Sequence, residues 1–466
     1  MTDNSLKKKW NNIFAKAPKT LDKMAKINRI ASAFNTCIDS VVKISGEELF
    51  KLIKSEKLSL KELTEIKHKS IDSASDLLKG VFNCFRYGIA EEWTAEDKSV
   101  FDWMLNNLGT KKMQIGGQAG IIANTMSLTG IKQVIVHSNA LSDLQASQFF
   151  KRDNLLSFDK DGKLNPAFSI NRDSNTSIHW IVEFDKNDKI TLDGKDFICP
   201  KSNRFIATYD PPLFDFVIDE NFMKYTNSNK VDYFVLSGYQ ALSSHNHGVK
   251  HVKDSIAIVK SWKKASPKSI VHLEIASTQD TKVRHAVAKY LAPYADSIGV
   301  NERETMDILE VINQKKLLET CRKEPSAVNL FKAIMAIKNK LKYPRIQLHM
   351  FGLYITIQNK NFPIKPLANR NGMVLAATAA ASKAYVGKLS ETSDILEAYG
   401  QPVSDIGLSE LEKLSNYLKQ PDLLSKGIAY HKDFDIITVP TILIEKPKTL
   451  VGMGDTISAF SIVGAR

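Results

Sequence analysis

The stretch "DIITVPTILIEKPKTLVGMGDTISAF", residues 435–460, holds the pattern that decides the fold. Ile436, Ile437 and Val439 form a β-branched run that reads as a buried strand. A lysine- and proline-bearing turn follows. Gly452-Met453-Gly454-Asp455 then opens a final helix of small and apolar residues. Strand, glycine turn and helix make up the repeating unit of an α/β sheet. A helix N-terminus leaves amide N–H groups unpaired, and glycines let an anion approach them. Asp455 there is placed for proton chemistry. The competing reading is that Asp455 or Thr456 only caps the helix.

The same unit recurs upstream. "KMQIGGQAGIIANTMSLTG" (112–130) reads as a short strand, a turn at Gly116–Gly120 and a helix of small residues. "QVIVHS", "DYFVLSGYQ", "SIVHLEIAS" and "ADSIGVNERE" are apolar runs with polar C-terminal ends. "RIASAFNTCIDSVVKI" (29–44) reads as two strands joined by a polar turn. Helices are expected within Ser5–Asn28, and Ser45 with Glu48 predicts a capping box. From about Ser157 to Pro212 the texture changes to short alternating strands with turns at "DKDGK", "DKNDK" and "LDGKD". Together these predict an α/β protein with a doubly wound, largely parallel sheet and an antiparallel β-rich insertion. Ligands of such sheets lie beyond the carboxyl ends of the strands.

The chain has 466 residues, 43% of them hydrophobic, and a net charge of +13. No apolar run approaches the ~20 residues that cross a bilayer, and the N-terminus lacks an apolar signal region. The expectation is a cytoplasmic protein with no membrane partner. Cys37, Cys84, Cys199 and Cys321 are widely spaced, which argues against a disulfide framework and a CxxC zinc site. The lysines are dispersed and do not interleave with arginine and aromatic residues, so nucleic acid is not an expected partner and small anionic metabolites are. Oligomeric state is left at monomer or small homo-oligomer.

Three motifs are set aside. "DKDGK" lacks the later ligands of a calcium loop. "SSHNHGVKH" offers His245, His247 and His251 without a suitably spaced fourth ligand. "GGQAG" is not a dinucleotide fingerprint. A stronger constellation gathers four strand ends: His272 and Glu274 on one face of a strand, Asn301, Glu302 and Glu304 after the next, the Gly116–Gly120 turn, and Gly452–Asp455. An anion hole, a carboxylate base and an oxygen-rich Mg2+ site are the parts of a phosphoryl-transfer enzyme.

The order of these motifs resembles the ribokinase superfamily. More narrowly, "NTCID" (35–39), "GGQAGIIAN" (116–124), "NRFIATYDPP" (203–212), "LSGYQ" (236–240), "HLE" (272–274), "NERE" (301–304) and "VPTILIEKPKTLVGMGDTIS" (439–458) resemble the archaeal ADP-dependent phosphofructokinases and glucokinases over nearly the full length, closest to the methanogen phosphofructokinase branch. The resemblance implies a ribokinase-like Rossmann-type sheet with a smaller, discontinuous β-rich lid. It places residues 1–37, 111–159 and 211–466 in the large domain and 38–110 and 160–210 largely in the lid. It implies transfer of the β-phosphoryl of ADP to fructose 6-phosphate with release of AMP. Glucokinase or bifunctional activity is the alternative, and an ATP-dependent ribokinase-type kinase or a catalytically silent binding protein is more remote.

By the same resemblance Asp455 is the base and Gly452, Met453 and Gly454 the anion hole. Asn35, Asp39, Gly117, Gln118 and Asn124 bind the sugar, with Glu91 and Glu92 near a glucose hydroxyl. Arg204 grips the sugar phosphate, with Arg172 as a second cation. Val439, Pro440, Thr441 and Gly452 line the nucleotide site. Glu274, Asn301, Glu302 and Glu304 hold Mg2+. The family commonly has asparagine where this chain has Cys37.

Overall fold

The computed structural model describes residues 4–109, 112–138, 140–172, 176–449 and 451–466. Among them, eleven strands form one large sheet. Its parallel part runs in space from Arg345–Met350 through Ser297–Val300, Ile270–Glu274, Tyr233–Leu236, Arg29–Ala33 and Gln133–Val136 to Leu155–Phe158. Most of these strands are buried along their whole length, which is why they read as unbroken apolar runs. Leu353–Asn359, Phe434–Pro440 and Ile428–Tyr430 extend one edge antiparallel, and Leu164–Pro166 closes the other. The chain leaves Arg29–Ala33 in opposite directions along the sheet. Its carboxyl end is therefore the topological switch point, where open α/β sheets bind ligands.

A second, five-stranded sheet has the order Glu91–Thr94, Asn203–Tyr209, Ile178–Phe184, Cys37–Lys43, Met113–Gly116. One of its faces packs on its own helices around Phe85, Trp93, Trp180 and Phe205, a core separate from that of the large sheet. The hairpin Lys189–Leu192 and Lys195–Ile198 turns at Asp193-Gly194, as "LDGKD" predicts. Two strands depart from the expected segments. Met113–Gly116 joins the small sheet because its register with Cys37–Ser40 continues that surface. Leu164–Pro166 joins the large sheet because the "DKDGK" turn folds it back onto Leu155–Phe158.

The expected capping box at Ser45 and Glu48 is present. The final helix, Met453–Val463, lies against Pro366–Val386. Small residues let the two approach: a Cβ on Gly372 would stand 2.6 Å from the Ser461 carbonyl oxygen. This close packing, with Ala459, Phe460 and Val463 wholly buried, fixes the direction of the helix whose N-terminus opens the site. No helix among the described residues is long and apolar enough to cross a membrane.

Candidate active site

Helix Met453–Val463 starts from Gly452, whose φ of +63° is a conformation glycine adopts without strain. No side chain caps this helix. Asp455 is its third residue, and Thr456 Oγ1 donates to the Gly452 carbonyl at 2.8 Å. The capping reading of Asp455 therefore fails. Its carboxyl accepts a hydrogen bond from Gln118 and is pushed up to about 6, by burial first and then by Glu274, with Lys383 opposing. Lys383 is itself buried and lowered to about 8, and its Nζ donates to the Gly452 carbonyl at 3.0 Å. It thus braces the glycine turn from behind. A Cβ on Gly452 would meet Ile121 at 2.8 Å and Lys383 at 2.9 Å, whereas one on Gly454 would find nothing nearer than His349 at 3.4 Å. Neither packing nor backbone conformation demands glycine at 454.

Behind this turn lies a group of buried carboxylates. His272 and Glu274 share a face of their strand, as period two requires, with His272 Nε2 3.3 Å from Glu274 Oε2. Ser458 donates to Glu274, and His349 Nε2 lies 3.7 Å from its other oxygen. Burial lifts Glu274, and it lifts Glu304 well above the usual range, with the Glu274 charge adding to the effect. Asp307 and Asp455 push Glu304 the same way. Buried carboxyls that raise one another, with no lysine or arginine paired to Glu304 among the described residues, form an oxygen donor set that a hard divalent cation would relieve. Glu274, Glu304 and Asp307 line a small cavity of about 20 Å3 with Arg284. Asn301 and Glu304 also form a capping box: Glu304 Oε2 accepts the Asn301 N–H at 2.7 Å. Glu302 turns elsewhere and accepts the Phe351 N–H at 2.7 Å, bracing a hairpin turn.

Across the switch point, the cleft face of the small sheet supplies the rest. Register aligns Gln114, Asp39, His179, Thr208 and Thr94 in one row over its five strands. Glu92, which pairs in register with Ile206, and Arg204, two residues before Ile206 on its strand, stand on the same face. Thr208 Oγ1 donates to Glu92 at 2.7 Å. Glu91 points the other way, accepting from Trp93 Nε1 and from Lys69. Asn35 sits in the connection between the sheets, and its Oδ1 is buried without a hydrogen-bond partner. Its carbonyl accepts the N–H groups of Ala119 and Gly120. A Cβ on Gly117 would come within 2.6 Å of Asn35, so the glycine turn presses directly on the connection between the sheets. Burial pushes the Asp39 carboxyl to about 6; nearby His179 opposes this and Asp455 adds to it. Lys69, Glu92, Arg204, Gln240 and Asp280 line a cleft of about 380 Å3 between the small sheet and the loops of the large one.

Two expected contacts are otherwise engaged. Asn124 accepts the Phe150 N–H at 3.1 Å and donates to the Gln148 carbonyl at 3.4 Å, tying down a neighbouring turn. Arg172 pairs with Asp219 and donates to the carbonyls of Phe158 and Ser138, so its fork is filled by the protein. Val439, Pro440 and Thr441 are buried at the end of their strand, with Thr441 Oγ1 unpartnered. His179, His349, Asp307, Lys69 and Lys383 escaped the sequence reading. Only His179, the second residue of the strand Ile178–Phe184 and a polar residue between the apolar Ile178 and Trp180, carried a period-two signal that could have revealed it.

Residues 28–464 match the ADP-specific phosphofructokinase/glucokinase conserved region. The chain is 28% identical to the ADP-specific phosphofructokinase of Methanosarcina acetivorans, over 92% of this chain and 91% of that one. It is 30% identical to the ADP-dependent glucose/glucosamine kinase of Pyrococcus furiosus, over 98% of each. A solved ADP-dependent kinase complex with fructose 6-phosphate and ADPβS superposes with a TM-score of 0.84 at 28% identity, covering 100% of this chain and 98% of that one. With its motifs, two-sheet architecture and full-length match in agreement, the chain belongs to the ADP-specific phosphofructokinase/glucokinase family.

Proposed function

We propose that this protein is an ADP-dependent sugar kinase that transfers the β-phosphoryl group of ADP to O1 of fructose 6-phosphate, giving fructose 1,6-bisphosphate and AMP. The observation that carries the reading is the meeting of Asp455 and Asp39. These are buried carboxyls, one on a strand of the small sheet and one on the helix Met453–Val463, near enough for the charge of Asp455 to shift Asp39. Asp39, Asn35, Gly117 and Gln118 hold the sugar ring, and Asp455 takes the O1 proton as the oxygen attacks phosphorus. The O1–P bond forms, the bridging bond to the α-phosphate breaks, and its electrons leave with AMP. The N–H groups of Met453 and Gly454 stabilise the charge on the transferred group. Val439, Pro440 and Thr441 shape the adenine site.

Glu274, Glu304 and Asn301 would hold Mg2+, directly or through its waters, and such a cation would supply neutralisation of phosphate charge. Asp307, lining the same cavity, is a further candidate ligand. The five-stranded sheet with its helices acts as the lid, excluding water so that ADP is not hydrolysed.

Arg204 is the cation for the sugar phosphate, with Lys69 on the same cleft wall. Glu92 favours glucose as a second acceptor, because its carboxylate is held toward the cleft by Thr208. Incubating the protein with ADP or ATP, crossed with fructose 6-phosphate or glucose, and identifying the nucleotide product tests both readings. AMP formed with a phosphorylated sugar is expected. ADP formed from ATP in its place would refute the assignment.

A further inference from the structure

We propose that Cys37, Asp39 and His179 form a thiolate-containing site for a borderline-soft divalent cation of the Zn2+ class, and that its occupation excludes the sugar. The last clause rests on the sugar placement above.

Cys37 and Asp39 lie two apart on one strand and so share a face. His179 pairs directly with Asp39 in the adjacent strand. The register thereby brings a sulfur, a carboxylate oxygen and an imidazole nitrogen within 4.8 Å of one another. All three residues are buried. Their own hydrogen bonds do not satisfy them. Cys37 Sγ reaches Asp39 Oδ1 only at 3.9 Å. His179 Nε2 is 3.5 Å from Asp210 Oδ2, and neither atom makes a hydrogen bond. The two atoms meet only as a long ion pair that requires a protonated ring, which leaves a buried nitrogen and a buried oxygen without a normal hydrogen bond, a cost of about 1–3 kcal/mol each that a bound cation would relieve.

The donor types choose the ion. Mg2+ and Ca2+ take oxygen, whereas a set of thiolate, imidazole and carboxylate suits Zn2+ or Co2+. Asp210, oriented by Ser177 at 2.7 Å, adds a carboxylate within reach of the histidine. Binding breaks the S–H bond, forms a sulfur–metal bond and releases the proton to solvent. One thiolate and one carboxylate then balance the charge of the cation. A cation here occupies Asp39, which otherwise holds a sugar hydroxyl, so the two ligands compete.

The test uses the metal-free protein with Co2+ as the probe. Wild type should develop a thiolate-to-cobalt charge-transfer band in the near ultraviolet. Equimolar Zn2+ should abolish it, excess Mg2+ should leave it, and saturating fructose 6-phosphate or glucose should suppress it. Cys37→Ser and Cys37→Ala should lose the band while keeping a cooperative thermal transition. Absence of the band in wild type, or its persistence in Cys37→Ser, would overturn the site. Should both variants fail to fold, X-ray absorption at the zinc edge of the wild-type protein decides: a sulfur shell supports the site and a purely nitrogen and oxygen shell refutes it. A band indifferent to saturating sugar overturns the competition. If turnover of ADP and sugar is normal in that case, the kinase reading survives. A Cys37-dependent band in a protein with no kinase turnover upholds the metal site and refutes the kinase reading.

Discussion

Replacing Gly454 and Gly452 with alanine separates what packing requires from what the substrate requires. At Gly452 the backbone is left-handed, and the new Cβ would meet Ile121 at 2.8 Å and Lys383 at 2.9 Å. A residue with a Cβ held in that region costs about 1–2 kcal/mol, and displacement of the buried Lys383 adds to it. Gly452→Ala should therefore lower both stability and activity. At Gly454 the backbone is helical, and the nearest atom to the new Cβ is His349 Nε2 at 3.4 Å, ordinary contact. Alanine there removes unfolded-state freedom and should raise stability by about 0.4–1 kcal/mol. Its methyl group, however, points toward His349 and Glu274 and crowds the first turn of the helix whose amides face the phosphoryl group in the proposed reaction. Displacing the transferred phosphoryl from one amide donor should cost about 10²–10³ in kcat, or about 2.7–4 kcal/mol. Thermal unfolding and steady-state AMP formation measure the two effects on the same samples. A Gly454→Ala enzyme with wild-type kcat would show that these amides do not meet the phosphoryl group. A less stable Gly454→Ala protein would show that the glycine is structural after all.

Glu304→Gln keeps an acceptor for the Asn301 N–H, so the capping box survives while one buried charge is removed. Stability should hold and the Mg2+ concentration for half-maximal activity should rise; an unchanged Mg2+ titration would remove Glu304 from the metal set. Arg204→Ala should raise KM for fructose 6-phosphate at least about tenfold, the loss of a charge-assisted phosphate contact of about 1.5–3 kcal/mol, and leave KM for glucose nearly unchanged. Equal effects on both acceptors would place Arg204 outside the phosphate site. Asp455 and Asp39 are each raised from 3.8 to about 6, so both are protonated in the folded enzyme below that pH. Activity should fall about tenfold per pH unit for each essential proton gained as pH drops through 6. Their contribution to stability runs the opposite way: it is present below about 4 and lost as pH rises through about 6. A pH–rate profile flat to pH 5 would show that neither carboxyl must be ionised.

The strands of the large sheet were legible because each is a short apolar run ending in polar or glycine residues. The carboxyl-end groups Asn35, Glu274, Asn301 and Asp455 followed from that placement. For Asn124 and Arg172 the sequence could not show the hydrogen bonds each makes to a neighbouring loop, because an amide or guanidinium beside a motif looks the same whether it faces a ligand or the protein. Glu304 shows the two uses combined, since one carboxylate caps a helix and faces other carboxylates.

By itself the sequence determined the α/β alternation, the antiparallel insertion and the glycine turn with its aspartate, because these are local patterns of hydrophobicity and backbone freedom. Tertiary structure alone decided the row Gln114, Asp39, His179 and Thr208, whose members come from four strands that lie between residues 39 and 208. It also decided the burial of Lys383 beneath Gly452 and the crowding of Glu274, Glu304 and Asp455. Strand register and helix packing are long-range choices, and the charge interactions that set these groups' protonation exist only once both sheets have folded around one cleft.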